Sequence, residues 1–145
     1  MEPSSKVKYA LLALLELASH YERGKLLSIE QVVAEQQIPE RYLGQLLIEL
    51  RRCGIVRSQR GVKGGYLLAR APQQIGLLEV LDCLEGKQYR RESNEKESQT
   101  LENIIIQEVW EEATAAAIAV LGRYTLQVLH ERRNDRQESN PMYFI

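Results

Sequence analysis

Between Ser28 and Ala69 the chain carries two short helical patterns joined by a brief connection, then two β-type runs around a cluster of glycines. Ser28 and Gln31 have the form of a capping box, in which each side chain satisfies a free backbone N–H at a helix start. This predicts a helix over residues 28–36 with Ile29, Val32 and Val33 on its apolar face. After Gln37 and Ile38, Pro39 fits a first helical position, which needs no N–H donor. Tyr42, Leu43, Leu46, Leu47 and Leu50 then give a second stripe that runs to about Cys53 and stops at Gly54. Two short helices with a tight connection, the second one basic, form the pattern of a helix-turn-helix whose second member reads a DNA groove. The runs Ile55 to Ser58 and Tyr66 to Ala69 flank a turn rich in glycine and predict a hairpin. The expected fold is mainly α with a small β-hairpin wing: a winged helix-turn-helix over residues 1–75.

The flanking segments complete the plan. Val7, Ala10, Leu11, Leu14, Leu15 and Ala18 predict a first amphipathic helix from Ser5 to about residue 21. Residues 76–99 read as a short helix at 77–85, ended by Gly86, and a polar loop expected to be mobile. From Thr100 a long stripe runs through Leu101, Ile104, Ile105, Val109, Ala113, Ala116, Ala117, Val120 and Leu121. It is too long for so small a core, and its alanines permit close approach of a second helix. We therefore expect a homodimer built on residues 100–134, with a break at Gly122, a further helix at 126–132 and a polar tail over 135–145. The alternative is a helix folded back on its own domain. A two-fold dimer sets two recognition helices about 34 Å apart, which predicts a pseudo-palindromic DNA site.

Charge supports the same division. The 145 residues, 44% apolar, suit one domain with an oligomerisation segment and exclude a large multidomain enzyme. The net charge of −1 conceals an asymmetry: residues 1–75 hold 11 basic and 7 acidic side chains (+4), and residues 76–145 hold 8 and 13 (−5). Within 41–70, seven basic residues face Glu49 alone. Such a surface suits double-stranded DNA, although a solvated charged face is the plainer reading of charge alone. No apolar run of membrane-spanning length and no secretory signal is present, so we expect a cytoplasmic protein with no membrane partner. Cys53 and Cys83, thirty positions apart, match neither a disulfide scaffold nor the close pairs of a zinc site, and a reducing compartment would keep them as thiols.

Lys6 to Ala10, Ile38 to Leu47 and above all Gly54 to Ala69 (GIVRSQRGVKGGYLLA) resemble the Rrf2 family of bacterial transcription regulators, with supporting residues at Leu84-Glu85-Gly86, Trp110 and Thr125-Leu126. The resemblance covers nearly the whole chain. It implies a winged-helix dimer with a long crossing helix, acting as a repressor or, less often, an activator. It places Arg41, Tyr42 and Gln45 on the exposed start of the recognition helix. There Arg pairs bidentately with guanine and Gln with adenine, while Tyr42 either offers its hydroxyl to a phosphate or packs its ring inward. Arg51 and Arg52, near the helix end, either touch phosphate or are simply solvated. Arg60 at the wing tip resembles the family's minor-groove arginine, with Lys63 on the phosphates and Gly61, Gly64 and Gly65 allowing close backbone approach. Ser28 is first a cap and, as a helix start, also a phosphate site.

Two departures from the family pattern matter. Many members hold an iron–sulfur cluster through three cysteines in the loop before the long helix, but residues 87–99 contain neither Cys nor His, and His20 and His130 are isolated. No cofactor or metal ligand is therefore expected. Gly44, inside the recognition helix, costs about 1 kcal/mol relative to Ala and suggests an altered base preference. Without a cluster, the signal falls to a thiol, a ligand or a partner protein. Cys53, beside Arg51 and Arg52, is either a reactive thiol or a small buried hydrophobe, and Cys83 reads as core. No nucleotide loop, nucleophile motif or paired histidines point to an enzyme, so no catalytic residue is expected. The competing function is a protein-interaction module on a winged scaffold, docking through acidic residues such as Glu92, Glu95, Glu97 and Glu102.

Overall fold

The computed structural model describes residues 2–86 and 100–139. The elements follow in the order α1 (Ser5–Ser19), α2 (Ile29–Gln36), α3 (Glu40–Arg52), β1 (Val56–Gln59), β2 (Gly65–Leu68), a 3-10 turn (Pro72–Gln74), α4 (Leu77–Glu85), α5 (Leu101–Leu121) and α6 (Leu126–Ser139).

Helix α1 starts where the Ser4 side chain accepts a bond from the Val7 N–H at 3.3 Å, and it buries Val7, Ala10, Ala13, Leu14, Leu17 and Ala18. Helix α2 has both halves of its capping box: the Gln31 N–H donates to Ser28 Oγ at 3.2 Å, and the Ser28 N–H donates to Gln31 Oε1 at 2.8 Å. Gln37, in the left-handed region at φ 55°, turns the chain towards α3. Pro39 is the N-cap of α3 and stands one place before the first helical position that the sequence pattern gave it. Leu43, Leu46, Leu47 and Leu50 of α3 are buried against α1, α2 and the sheet. A fully buried leucine contributes roughly 1.5–3 kcal/mol, so this stripe fixes how α3 presents its other face. Strands β1 and β2 pair antiparallel with Val56 opposite Leu68 and Gln59 opposite Gly65. Leu27 adds a short third rung, accepting from the Tyr66 N–H at 2.8 Å and donating to its carbonyl at 3.0 Å. The wing is thereby fastened to the residue that precedes the α2 cap.

Helix α4 is held to the junction between α5 and α6. The Leu77 N–H donates to the Tyr124 carbonyl at 3.0 Å, the Leu126 N–H donates to the Ile75 carbonyl at 3.0 Å, and Leu126 is fully buried. Helix α6 packs on α1 and runs to Ser139, beyond the expected end at residue 132, so residues 135–139 are helical rather than part of a tail. Its polar sequence shows no long apolar stripe. Pairs four residues apart, such as Gln127 with Glu131 at 3.0 Å and His130 with Asn134 at 3.3 Å, support it instead. Helix α5 has no buried residue over its 21 positions, a length of roughly 30 Å at the usual rise. Leu101 and Trp110 are 74% and 69% exposed, and Ile105, Ile106, Val109 and Val120 also face outward. The expected loop at 87–99 and the apolar end at 142–145 lie outside the described residues.

The expectation of two reduced thiols is overturned. Cys53 and Cys83 are joined in a disulfide, with Cα atoms 6.1 Å apart, which links the C-cap of α3 to α4. Spacing along the chain concealed the pairing, because the packing of α3 against α4 brings the two positions within the span of an S–S bond. Cys53 is exposed rather than a buried hydrophobe, and Cys83 is partly buried at the edge of the core.

Candidate nucleic-acid interface

The burial of the α3 leucines leaves Arg41, Tyr42 and Gln45 exposed together on the first turns of that helix. Tyr42 is 39% exposed, and its ring meets Tyr9 of α1 edge to face at 5.5 Å. The ring thus packs on α1 while the residue stays partly open to solvent. Gly44 is partly exposed next to this face, and a Cβ built there would meet only Ile29 Cδ1 of α2, at 3.9 Å.

A cleft of about 400 Å³ opens between the start of α2, the end of α3 and the wing. It brings together Ser28, Arg51, Arg60, Gly61, Gly64 and Gly65, six positions that the sequence had singled out. Ser58, Gln59 and Tyr66 also line it and were not anticipated, since no alternation of burial along β1 or β2 marks them out. Arg51 donates from Nη1 to Ser58 Oγ at 3.0 Å, which steadies the guanidinium beside the cleft. The Ser28 and Gln31 N–H groups are spent on the capping box, so an anion at the α2 start would meet the N–H groups of Ile29 and Glu30 and the Ser28 hydroxyl. Lys63 stands outside the cleft on the exposed wing tip, beside Val62.

Gly64 and Gly65 are also required by the packing of the wing itself. A Cβ at Gly64 would stand 2.2 Å from the Gln59 carbonyl oxygen, and one at Gly65, where φ is +155°, would stand 2.5 Å from the Leu27 carbonyl oxygen. Both crowd the protein's own backbone at the base of the wing.

Ion pairing takes up one acid and one base beside this face. Glu49, the lone acid of residues 41–70, is bound to Lys6 of α1 at 3.1 Å, and Arg70 is bound to Glu79 of α4. Arg41, Arg51, Arg52, Arg57, Arg60 and Lys63 are left exposed on α3 and the wing. Away from this face, Glu16 on α1 is 5% exposed and accepts a bond from Gln36 Nε2 at 3.1 Å, a buried polar contact that the apolar pattern had not revealed. Burial, with the neighbouring Arg133, pushes the His130 imidazole below its usual pKa.

Residues 3–132 match the model of the Rrf2 family, described as an iron-dependent transcriptional regulator. The chain is 41% identical over 86 residues to the HTH-type transcriptional regulator IscR of Cereibacter sphaeroides, covering 59% of this chain and 56% of that one. In matches of this kind the chain spans little more than half the relative's length. It is also 32% identical over 143 residues to the HTH-type transcriptional regulator CymR of Bacillus subtilis, covering 99% of each. Among solved structures, T. potens IscR superposes with a TM-score of 0.78 at 30% identity, covering 94% of this chain and 91% of that one. The donor set does not fit an iron–sulfur cluster, since both cysteines of the chain are consumed in one disulfide. Among the described residues no group of three or more His, Cys, Asp or Glu side chains could hold a metal ion. With its helix-turn-helix, its wing and a family match over nearly its full length, the chain belongs to the Rrf2 family of winged-helix transcriptional regulators.

Proposed function

We propose that this protein is a sequence-specific DNA-binding transcription regulator, a repressor rather than an enzyme, which acts in the cytoplasm as a homodimer on a pseudo-palindromic operator. The observation that carries the reading is the exposed basic face shared by α3 and the wing, where Arg41, Arg51, Arg52, Arg57, Arg60 and Lys63 outnumber the exposed Glu30 and Glu40. Arg41 and Gln45 read base edges, with Tyr42 on a phosphate. Arg51, Ser28 and the backbone at Gly64 and Gly65 receive the sugar–phosphate chain at the cleft, while Arg60 enters the minor groove and Lys63 neutralises phosphate. The uncovered apolar face of α5 supports the dimer, because a second copy is the economical cover for such a stripe. The relatives named as transcriptional regulators support the same function. No described helix is long and apolar enough to cross a membrane.

The test is selection of duplexes from a random-sequence pool, followed by salt titration of the enriched site. We expect a palindromic motif and affinity that falls steeply with salt. Lys63→Ala should flatten the salt slope by about one unit without changing sequence preference, and Arg41→Ala should relax preference at one base pair by ~1–3 kcal/mol. Absence of enrichment, or binding indifferent to salt, would refute the reading in favour of a protein-docking module.

A further inference from the structure

Resting on that reading, we propose that the Cys53–Cys83 disulfide is a reversible redox-modification site, whose partner is a low-molecular-weight thiol/disulfide couple and whose closed form is the state that binds the operator tightly. The bond lies where three elements meet. Cys53 is the C-cap of α3, Gly54 and Ile55 lead directly into the wing strand, and Cys83 sits in the last turn of α4. The start of α4 is bonded to the α5–α6 junction through Leu77 and Tyr124 and through the bridge between Gly76 and Thr125. A continuous path thus runs from the base-reading helix across the S–S bond into α4 and on to the helix proposed to carry the two-fold axis. Opening the bond leaves α3 and α4 joined by non-covalent contacts alone. The distance between two recognition helices is then less firmly set, and the cost of ordering it falls on the binding step.

The site is also open to chemistry. Cys53 is exposed and Cys83 partly buried, so the Cys53 sulfur is the one an incoming thiolate reaches. Attack there forms a mixed disulfide and breaks the Cys53–Cys83 bond; Cys83 leaves as a thiolate and takes up a proton. A second small thiol then releases Cys53. The balance is one protein disulfide and two small thiols giving two protein thiols and one small disulfide, a transfer of two electrons. Re-oxidation is the reverse exchange. The proposal gives Cys53 and Cys83 one joint role in place of two separate thiols.

The experiment uses the full-length protein equilibrated in glutathione buffers of graded ratio, with the disulfide read by mass after thiol alkylation. Affinity is measured for the duplex enriched from a random pool, with selection run in both redox states, and for an unselected duplex. We expect a single two-electron transition. Reduction should weaken binding to the enriched duplex about tenfold, with unselected DNA unaffected, and the double variant Cys53→Ser/Cys83→Ser should match the reduced protein in either buffer. By linkage, the enriched duplex should make the disulfide correspondingly harder to reduce, by about 30 mV for a tenfold effect. A bond that merely stiffened the fold would lower the melting temperature on reduction and leave the ratio of specific to non-specific binding unchanged, which overturns the proposal. So does equal or tighter specific binding by the reduced protein, or failure of the cysteines to pair in any buffer. If no duplex is enriched in either state, the DNA-binding reading itself has failed and the switch falls with it.

Discussion

The same substitution, glycine to alanine, should have opposite signs at two positions of the DNA-binding half. At Gly65 a Cβ would stand 2.5 Å from the Leu27 carbonyl oxygen, on a backbone at φ +155°. The conformation alone costs an L-residue ~1–3 kcal/mol. Relieving the clash means parting Leu27 from Tyr66, whose two bonds of 2.8 and 3.0 Å contribute ~0.5–1.5 kcal/mol each. Gly65→Ala should therefore destabilise the protein by about 2–6 kcal/mol, or roughly 6–20 °C for a chain of this size. At Gly44 the backbone is helical, and a Cβ would lie 3.9 Å from Ile29 Cδ1, ordinary contact. Gly44→Ala should add ~0.8–1 kcal/mol through helix propensity. Urea unfolding of both variants at one fixed protein concentration measures the pair. A loss below about 1 kcal/mol at Gly65, or any loss at Gly44, would refute the argument that Gly65 serves internal packing and that a methyl at Gly44 has room beside Ile29.

Three further outcomes are expected. Val109→Glu on the exposed face of α5 should convert a dimer to a monomer in sedimentation analysis, and an unchanged mass would remove α5 from the interface. Gln36→Ala withdraws a donor from the buried Glu16 carboxylate and should cost ~1–3 kcal/mol in thermal unfolding, more than truncation of an exposed glutamine. His130 has its pKa lowered by burial and by Arg133, so the unfolded chain takes up its proton first as pH falls. Its contribution is complete above the unfolded value of 6.5 and is lost below it, and His130→Gln should flatten the decline of stability between about pH 7 and about pH 5.

What the sequence reveals follows from the range of the interaction involved. The capping box at Ser28 and Gln31, the leucine stripe of α3 and the hairpin around the glycines are local patterns, and each lies in the structure within a residue or two of its expected place. The Cys53–Cys83 bond and the Glu16–Gln36 contact are long-range, and no periodicity encodes them. The last turns of α6 escaped detection because a polar helix lying on a neighbour needs only a few apolar anchors, here Leu126. The site residues were legible as types, but their grouping was not: Ser28, Arg51 and Arg60 come from three different elements and meet only because Leu27 fastens the wing beside α2.

That fastening divides the wing into two parts with different tolerance to change. Its base is locked by Gly65 against the Leu27 backbone, whereas the side chains of its tip are open to solvent: Val62 is fully exposed, and a Cβ at Gly61 would meet nothing. The side chains of Arg60, Val62 and Lys63 can be exchanged or recharged with little effect on folding, while a single methyl at the base disturbs it. A lineage of such proteins can thus alter what the wing touches by drift at its tip, keeping the scaffold intact throughout.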